Sequence, residues 1–485
     1  MFRSLNELEL TVRKQIDEGL LEQALQNVTH FIKELLSYSW CNGIVLSSPV
    51  LDKLCLDIGA QFLAKHSFQK TSNINNNLVV YIATQLYAAG GHTAIIEEFI
   101  SSQPDKQHLI LMTDVLDEAD LKIITNRFKN NPAIIKRAPA GKMTNKLAWL
   151  MQELTTTNPH KTFLFNHQFD AVAIAAVQPQ IINDLIFYHH SDYQFTLGVH
   201  LDNAKHIDIH NLALFTCSHD LQVKDAIYWP LTSKDLGTRP PESFNHLKKH
   251  LITCSSGSLN KYNIPYAEDY KKLIAEIIKT TDGYHVHIGA ISPNYLKVIR
   301  NNLKKNHIDE SRFIHIPWVK SVWQTVIEKQ IDVYICSFPY GGGKTAVEIM
   351  GSGTPIIVHD NYATPLGGGH IVYPQAYQWR KSAELLNILQ NIKQDDLITH
   401  SHLSRQHYEK YHQDNFIKHQ LAKPAHLMQG VEPQPFTPFV RDELQSALDT
   451  YAVVKQKIKK EKSWRNSKTM QLLKKYYKKT RRMMN

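Results

Sequence analysis

The sequence predicts an α/β protein built from two doubly wound parallel sheets that face each other. Short apolar runs, such as residues 78–84 and 284–288, alternate with helix-like stretches along most of the chain, and this pattern is typical of βαβ units. The alternation stops once, over residues 232–245, where Pro240 and Pro241 indicate an interdomain linker. A chain of 485 residues is also long enough for about three domains.

The first 72 residues predict a separate helical domain. Leu5, Leu8, Val12 and Ile16 recur at near-helical spacing, and no strand-like alternation appears in this part of the chain. A polar linker over residues 73–77 then leads into the first strand-like run.

The strand-like runs fall into two groups. A domain over residues 73–232 is expected to contain the runs 78–84, 108–112, 162–165, 186–188 and 212–217. A domain over residues 246–400 is expected to contain the runs 251–254, 284–288, 313–316, 333–336 and 355–358. Closing helices over 401–454 and a basic helical tail over 455–485 complete the predicted order. Ligands of such folds bind beyond the carboxyl ends of the strands, so site residues are expected in the loops there.

The composition is that of a globular protein, with 43% hydrophobic and 21% charged residues. The sequence contains no run of 18 or more apolar residues, so it predicts no transmembrane helix. Residues 1–10 lack the apolar segment of a secretory signal. Five cysteines without a C-x-x-C pair fit a reducing compartment. We therefore expect a cytoplasmic protein.

The positive charge is concentrated in the tail. The whole chain carries +10, whereas the segment 455–482 has thirteen Lys or Arg and one acid, a net +12, which leaves −2 for the rest. Apolar and aromatic residues lie between these charges and predict an amphipathic helix at an anionic membrane surface. A disordered tail and non-specific RNA binding remain the alternatives, and no specific nucleic acid is expected as a partner.

A glycine-rich loop is the most informative motif. A predicted strand runs into Gly341, Gly342 and Gly343, which open a helix, and exposed N–H groups at a helix start bind anions. Lys344 and Thr345 lie in the first turn of that helix. The loop is not a phosphate loop of the Walker type, because Phe338 stands where that motif needs glycine.

The helix then continues into Glu348-Ile-Met-Gly-Ser-Gly-Thr-Pro-Ile-Ile, which resembles the donor-site block E-A-x-A-x-G-x-P-V-V of GT-B glycosyltransferases of the "glycosyl transferases group 1" family. The resemblance implies two facing Rossmann-like domains and a role for Glu348 in holding the donor ribose. Retaining members often have a second glutamate eight residues earlier, where this chain has Tyr340, so the stereochemistry stays open. The glycine loop is also similar to that of inverting protein glycosyltransferases with helical N-terminal domains.

The same resemblance implies further site residues, spread over both domains. On the donor side, Lys344, Thr345 and the three loop glycines would bind the donor, and Ser256 and Lys261 would contact its diphosphate. Trp318 would either form the apolar wall of the base site or be a core aromatic residue. On the other side, a glycine loop would line the cleft and histidines at a strand end would contact the sugar. The residues implied there as donor-binding are Gly91 and His189. The catalytic candidates are His92, His190 and Asp192, of which Asp192 would either orient a histidine or act as a base.

No metal site and no bound cofactor are expected from the sequence. His206 and His210, and likewise His285 and His287, are poor matches to zinc patterns, and no G-x-S-x-G element of a hydrolase occurs. A second triple glycine, residues 367–369, fits either a surface loop or a cleft loop.

The function expected from these residues is metal-independent transfer of a sugar, of the hexosyltransferase type, from a nucleotide-sugar donor to an acceptor hydroxyl. The acceptor would be a glycan, a lipid-linked molecule or a protein, in bacterial surface polysaccharide or glycoconjugate assembly, with possible peripheral membrane contact. Two alternatives stay open: a nucleotide-sugar epimerase on the same fold, and a non-catalytic protein that binds anionic polymers.

Overall fold

The computed structural model describes residues 2, 4–37, 45–88, 90–191, 194–240, 243–244, 250–264, 266–361 and 371–435. Five features singled out in the sequence lie wholly or partly outside the described residues: Asp192, Pro241 of the linker, the triple glycine 367–369, the end of the closing helices (436–454) and the basic tail 455–485.

Three helices form the N-terminal part: α1 (Leu5–Asp17), α2 (Leu21–Leu36) and α3 (Pro49–Lys65). The hydroxyl of Ser4 caps α1 by accepting from the Glu7 amide, and Ser48 caps α3. The apolar faces of these helices share one hydrophobic core with one face of the first sheet. Gly59 lies where α3 meets the chain near Ala175 so closely that a Cβ atom would be 1.9 Å from the Ala175 carbonyl oxygen. The helices therefore cover the sheet instead of standing apart from it.

The first sheet has seven parallel strands in the order β3-β2-β1-β4-β5-β6-β7. Its strands are β1 (Asn75–Ala83), β2 (Gln107–Met112), β3 (Ala133–Arg137), β4 (Pro159–Phe165), β5 (Leu185–His189), β6 (Ala204–Asp208) and β7 (Ile227–Tyr228). The helices between them are α4 (Gly91–Ser101), α5 (Leu121–Arg127), α6 (Met143–Thr157), α7 (Ala171–Ala176) and α8 (Asn211–Phe215).

The second sheet has six parallel strands in the order β10-β9-β8-β11-β12-β13. Its strands are β8 (Ile252–Ser256), β9 (Tyr284–Ile288), β10 (Phe313–Ile316), β11 (Val333–Ile335), β12 (Ile356–His359) and β13 (Tyr377–Trp379). The helices between them are α9 (Leu259–Tyr262), α10 (Tyr270–Thr281), α11 (Pro293–Lys305), α12 (Val322–Glu328) and α13 (Gly343–Gly351).

The chain closes with α14 (Ser382–Asn391), α15 (Gln394–Tyr411) and α16 (Asn415–Leu421), and it then returns to the first domain. The ammonium of Lys161 in β4 donates to the carbonyls of Leu421 at 2.6 Å and Lys423 at 2.5 Å, and the Trp229 indole donates to the Gln429 carbonyl at 2.9 Å. The segment after the second sheet therefore fastens the two domains together. Among the described residues, no helix has the length and apolarity needed to span a bilayer.

The predicted fold class, two parallel sheets with surrounding helices, is confirmed. One predicted strand is wrong, because residues 212–217 form α8 and the start of a wider helical turn, Thr216–Asp220. A short apolar run is compatible with a buried helix as well as with a strand, and periodicity alone does not separate the two.

Candidate active site between the two sheets

Each sheet has a point at which the strand order reverses, between β1 and β4 in the first and between β8 and β11 in the second. Connections leave the sheet in opposite directions there and open a crevice beyond the strand ends, where ligands of such sheets bind. The loops after these four strands, together with the first turns of the helices that follow, contain the glycines at 90–91, His167, Lys261 and the glycines at 341–343.

Lys261 lies against the glycine-rich loop of the second domain. It is on the short helix α9, directly after β8, and its ammonium donates to the carbonyl of Gly341 at 2.5 Å. A Cβ atom on Gly342 would be 3.7 Å from the same nitrogen. The structure thus brings together two features that are 80 residues apart in the sequence.

Lys261 is half-buried, desolvation lowers its pKa to about 8, and among the described residues no carboxylate forms an ion pair with it. A lysine that is withdrawn from water without a carboxylate partner favours binding of an anion. Lys261 also lies beside the first turn of α13, and the first N–H groups of a helix have no intrahelical partner.

The first turn of α13 lies against the first domain. Gly342 is the N-cap of the helix, and a Cβ atom on Gly343 would lie 2.7 Å from Leu231 Cδ1 and 2.9 Å from His210 Nε2. A larger residue at 343 would therefore displace side chains of the first domain. Thr345 follows in the same turn, half-buried.

Glu348 lies one turn further along α13 and is half-buried. Burial raises the pKa of its carboxyl group, and the positive charge of Lys344 partly offsets that shift. Glu348 therefore lies on the turn of α13 that follows the glycine-rich loop.

The side chain of Lys344 is placed against the first domain. Its ammonium pairs with Glu98 of α4 at 2.7 Å and donates to the carbonyl of Thr232. Because a carboxylate of the first domain already balances this charge, the placement of Lys344 favours a contact between the domains over a contact with the donor.

Three half-buried histidines converge on the first-domain side: His92 in the first turn of α4, His167 after β4 and His190 after β5. The ring centroids of His92 lie 5.3 Å from His190 and 5.4 Å from His167. Tyr87 stacks on His167 with 5.7 Å between ring centroids. Gly91 precedes this cluster, and a Cβ atom there would be 3.6 Å from Lys344 Cβ, so the start of α4 faces the start of α13.

The protonation of this cluster follows from its surroundings. Desolvation lowers the pKa of His92 to about 4 and that of His167 to about 3, so both rings are neutral near pH 7. The Nε2–H of His92 donates to the Gln85 carbonyl at 2.8 Å, which leaves Nδ1 as a proton acceptor. Neutral imidazoles with a free nitrogen can accept a proton from a hydroxyl group.

A buried carboxylate holds the loops beneath the histidines. Asp170 accepts hydrogen bonds from Thr84 at 2.6 Å and Thr113 at 2.5 Å, after β1 and β2, and from the amide of Ala173 in α7. The Thr84 hydroxyl in turn accepts from the His167 amide at 2.7 Å. This network links the ends of three neighbouring strands and positions His167.

The structure does not bring His189 to this site. His189 belongs to the opposite face of the sheet, where its Nδ1 lies 2.9 Å from Asp208, because successive residues of a strand point to opposite faces. The expected sugar contact of His189 is therefore not supported by its placement. Ser256 is buried at the end of β8, and Trp318 is 58% exposed beyond β10, so Trp318 is not a core aromatic residue.

Sequence reasoning missed His167, Tyr87, Glu98 and Asp170. His167 follows β4 as His190 follows β5, so the rule that site residues follow strand ends would have found it. No sequence pattern pointed to Glu98, because it lies within a helix and its partner, Lys344, is 246 residues away in the sequence.

No protein-family model and no curated protein matches this sequence. Solved structures do match. HepE of Anabaena, in complex with UDP and glucose, is 15% identical, with a TM-score of 0.53 over 72% of this chain and 98% of its own. WaaG, a glycosyltransferase involved in lipopolysaccharide biosynthesis, is 10% identical, with a TM-score of 0.50 over 71% and 99% of the two chains. A glycosyltransferase from Rickettsia africae is 10% identical, with a TM-score of 0.52 over 71% and 96%.

These neighbours are GT-B glycosyltransferases. The chain has the GT-B fold. In this GT-B chain, the two sheets are the two facing domains, and the crevices at their strand reversals lie on either side of the contact between α4 and α13.

Proposed function

We propose that this GT-B chain is a glycosyltransferase that moves a sugar from a nucleotide-sugar, of the UDP-sugar class, to an acceptor hydroxyl. One observation carries the proposal. Lys261, whose pKa burial lowers and which pairs with no carboxylate among the described residues, meets the first turn of α13 at the strand reversal of the second domain. A diphosphate matches this combination of a cation and convergent backbone N–H groups.

Each part of the site then has a task. The acceptor oxygen attacks the anomeric carbon, the bond from that carbon to the phosphate oxygen breaks, and the nucleoside diphosphate leaves with the electron pair. Lys261 and the amides of Gly343 and Lys344 would stabilise the charge that develops on the leaving group. Glu348 would hold the ribose, and Trp318 would cover the base.

The histidine cluster would serve the acceptor. His92 and His190 lie on the first domain, opposite the donor-binding loop, and the acceptor hydroxyl proton would pass to one of them. Because Lys261 and helix amides supply the positive charge, the transfer step would not need added divalent cations.

The setting we propose is bacterial surface polysaccharide or glycoconjugate assembly, at the cytoplasmic side of a membrane. WaaG, which shares the fold, is a glycosyltransferase involved in lipopolysaccharide biosynthesis. A lipid-linked acceptor would make membrane docking by the basic segment 455–485 useful.

A direct assay tests the proposal. The purified chain is incubated with a panel of UDP-sugars, with and without candidate acceptors, and UDP release and sugar products are measured. Acceptor-dependent UDP release is expected. Conversion of the donor to an epimer without UDP release would instead indicate the epimerase, and binding without any turnover would indicate a non-catalytic protein.

A further inference from the structure

A second group of polar side chains lies on the face of the first sheet that the N-terminal helices cover. It consists of His189 in β5, His206 and Asp208 in β6, and Cys217 in the helical turn Thr216–Asp220. His189 pairs with Asp208 in register, and His206 precedes Asp208 by two residues, so the strand pleat directs all three to one face. We call these four residues the buried His-Asp-Cys cluster.

The four side chains offer one ligand atom each, and all of these atoms lie within 4.8 Å of one another. Asp208 Oδ1 is 2.9 Å from His189 Nδ1, 3.1 Å from His206 Nε2 and 3.3 Å from Cys217 Sγ, and this sulfur is 3.6 Å from His189 Nδ1. The ligand atoms of a tetrahedral zinc site, at metal distances of about 2.0–2.3 Å, lie about 3.3–3.8 Å apart. The cluster is therefore near the spacing that surrounds one zinc ion.

Hydrogen bonding alone accounts poorly for this arrangement. Three groups converge on Oδ1 of Asp208, whereas its Oδ2 is buried and has no hydrogen-bond partner in the described part of the chain. The outer nitrogens His189 Nε2 and His206 Nδ1 are likewise buried without a hydrogen bond there. Each imidazole ring therefore turns one nitrogen toward the centre of the cluster and leaves the other nitrogen without a partner. Buried polar atoms without a hydrogen bond call for a specific explanation.

We propose that the buried His-Asp-Cys cluster binds one Zn²⁺ ion. Two imidazole nitrogens, one carboxylate oxygen and one thiolate match the ligand preference of zinc, and a carboxylate with a thiolate balances its charge. All four residues are at most 3% exposed. Since four protein ligands leave no open position, the ion is structural and takes no part in sugar transfer.

The sequence-based expectation of no metal site arose because the ligands come from two strands and a helical turn, without a zinc-like spacing. The ion would fasten the ends of β5 and β6 to the turn after α8. His190 adjoins one ligand, and His210, which faces Gly343 across the domain contact, lies two residues after another. A zinc ion here would thus hold in place the backbone next to His190 and His210, on the first-domain side of the candidate site.

The test uses the full chain, stripped of metal by a chelator under reducing conditions and titrated with Co²⁺ as a spectroscopic probe. The expected result is one tightly bound Co²⁺ per chain, with the visible absorption of tetrahedral cobalt and a thiolate-to-cobalt charge-transfer band, displaced by one Zn²⁺. Cys217→Ala should abolish the thiolate band, whereas Cys55→Ala, at another buried thiol, should keep it.

Three outcomes separate the alternatives. Failure of the wild-type chain to bind Co²⁺ or Zn²⁺ tightly would overturn the proposal, and so would a thiolate band that persists in Cys217→Ala. If Cys217→Ala does not fold, His206→Gln serves in its place, since it keeps a polar side chain and removes one ligand. Affinity in His206→Gln should fall at least tenfold, and unchanged affinity would overturn the proposal.

Discussion

Lys344 of the second domain and Glu98 of the first form an ion pair across the domain contact, with 2.7 Å between Nζ and Oε2. Both side chains are mostly buried, 15% and 17% exposed. The Thr232 hydroxyl donates to the other oxygen of Glu98 at 2.8 Å, and the Thr232 carbonyl accepts from Lys344. The start of α13 is thereby held against α4, which fixes the separation of the two halves of the candidate site.

This ion pair predicts energetic coupling between Glu98 and Lys344. Glu98→Gln and Lys344→Met should each lower the free energy of unfolding, because each leaves a mostly buried charge unpaired. In a double-mutant cycle followed by urea denaturation, we expect a coupling energy of about 0.5–3 kcal/mol. Lys344→Met should also weaken UDP binding less than Lys261→Met does. Additive single effects would show that the pair does not hold the domains together.

Lys261 predicts a pH-dependent affinity for nucleoside diphosphate. Its pKa is lowered to about 8, so the free protein loses this positive charge as the pH rises through that value, and UDP affinity should fall. Lys261→Met should bind UDP more weakly at pH 7 and lose this part of the pH dependence; titration calorimetry between pH 7 and 9 measures both. The nucleotide's own ionisations are the same in both proteins and cancel in the comparison.

The same substitution should lower turnover by about 2–4 kcal/mol of transition-state stabilisation, if Lys261 meets charge on the leaving group. Lys297→Met, at an exposed lysine on α11, is the matched control and should behave as wild type. Equal loss in both variants would argue against a specific role for Lys261.

Glu348 predicts selective recognition of the ribose. Glu348→Gln should weaken UDP binding by about 1.5–3 kcal/mol, because hydrogen bonds to a carboxylate are stronger than those to an amide. Binding of inorganic pyrophosphate, which has no ribose, should stay unchanged. Since burial already raises the pKa of Glu348, removing its charge should not destabilise the fold at neutral pH. Equal weakening of both ligands would exclude the ribose role.

The sequence predicted most of the buried strands. Strands β9 and β10 were predicted with the bounds that the structure has, because each is a short apolar run between turn signals. Four strands were missed. Strands β3 and β13 are edge strands, β7 has only two residues, and β6 is fully buried only in its second half. Local pattern carries little information about such strands, whose formation depends on a neighbouring strand.

The candidate site was predictable where it depends on strand ends and helix starts. The neighbourhood of Lys261 and the glycine loop follows from parallel topology, which gathers the carboxyl ends of β8 and β11. His189 and His190 were both assigned to the cleft, although adjacent residues in a strand end face opposite ways. The pairing of Lys344 depends on how the two domains dock, and no pattern within either domain encodes that.

Two adjacent glycines predict different effects of the same substitution. A Cβ atom on Gly343 would meet Leu231, His210 and Ile371 at 2.7–3.1 Å, whereas one on Gly342 has its nearest neighbours at 3.6–3.7 Å. Gly343→Ala should therefore lower the free energy of unfolding by about 1–3 kcal/mol through overpacking. Gly342→Ala should change it by less than about 0.5 kcal/mol. Similar urea midpoints for the two variants would show that the side-chain ends around Gly343 give way to the added methyl group and would contradict the prediction.

The basic tail predicts salt-sensitive binding to anionic membranes. The segment 455–482 carries thirteen Lys or Arg, and each basic residue near an anionic leaflet contributes about 1 kcal/mol, so partial engagement would hold the protein at a surface. Full-length protein should co-sediment with phosphatidylserine vesicles, and a chain ending at Thr450 should not, while it keeps activity on a soluble acceptor. A variant with Lys474, Lys475, Lys478 and Lys479 changed to Gln keeps the apolar residues and should bind weakly. Equal vesicle binding by the truncated chain would show that the membrane contact lies outside the tail. Binding of the full-length chain to RNA but not to vesicles would favour non-specific RNA binding by the tail.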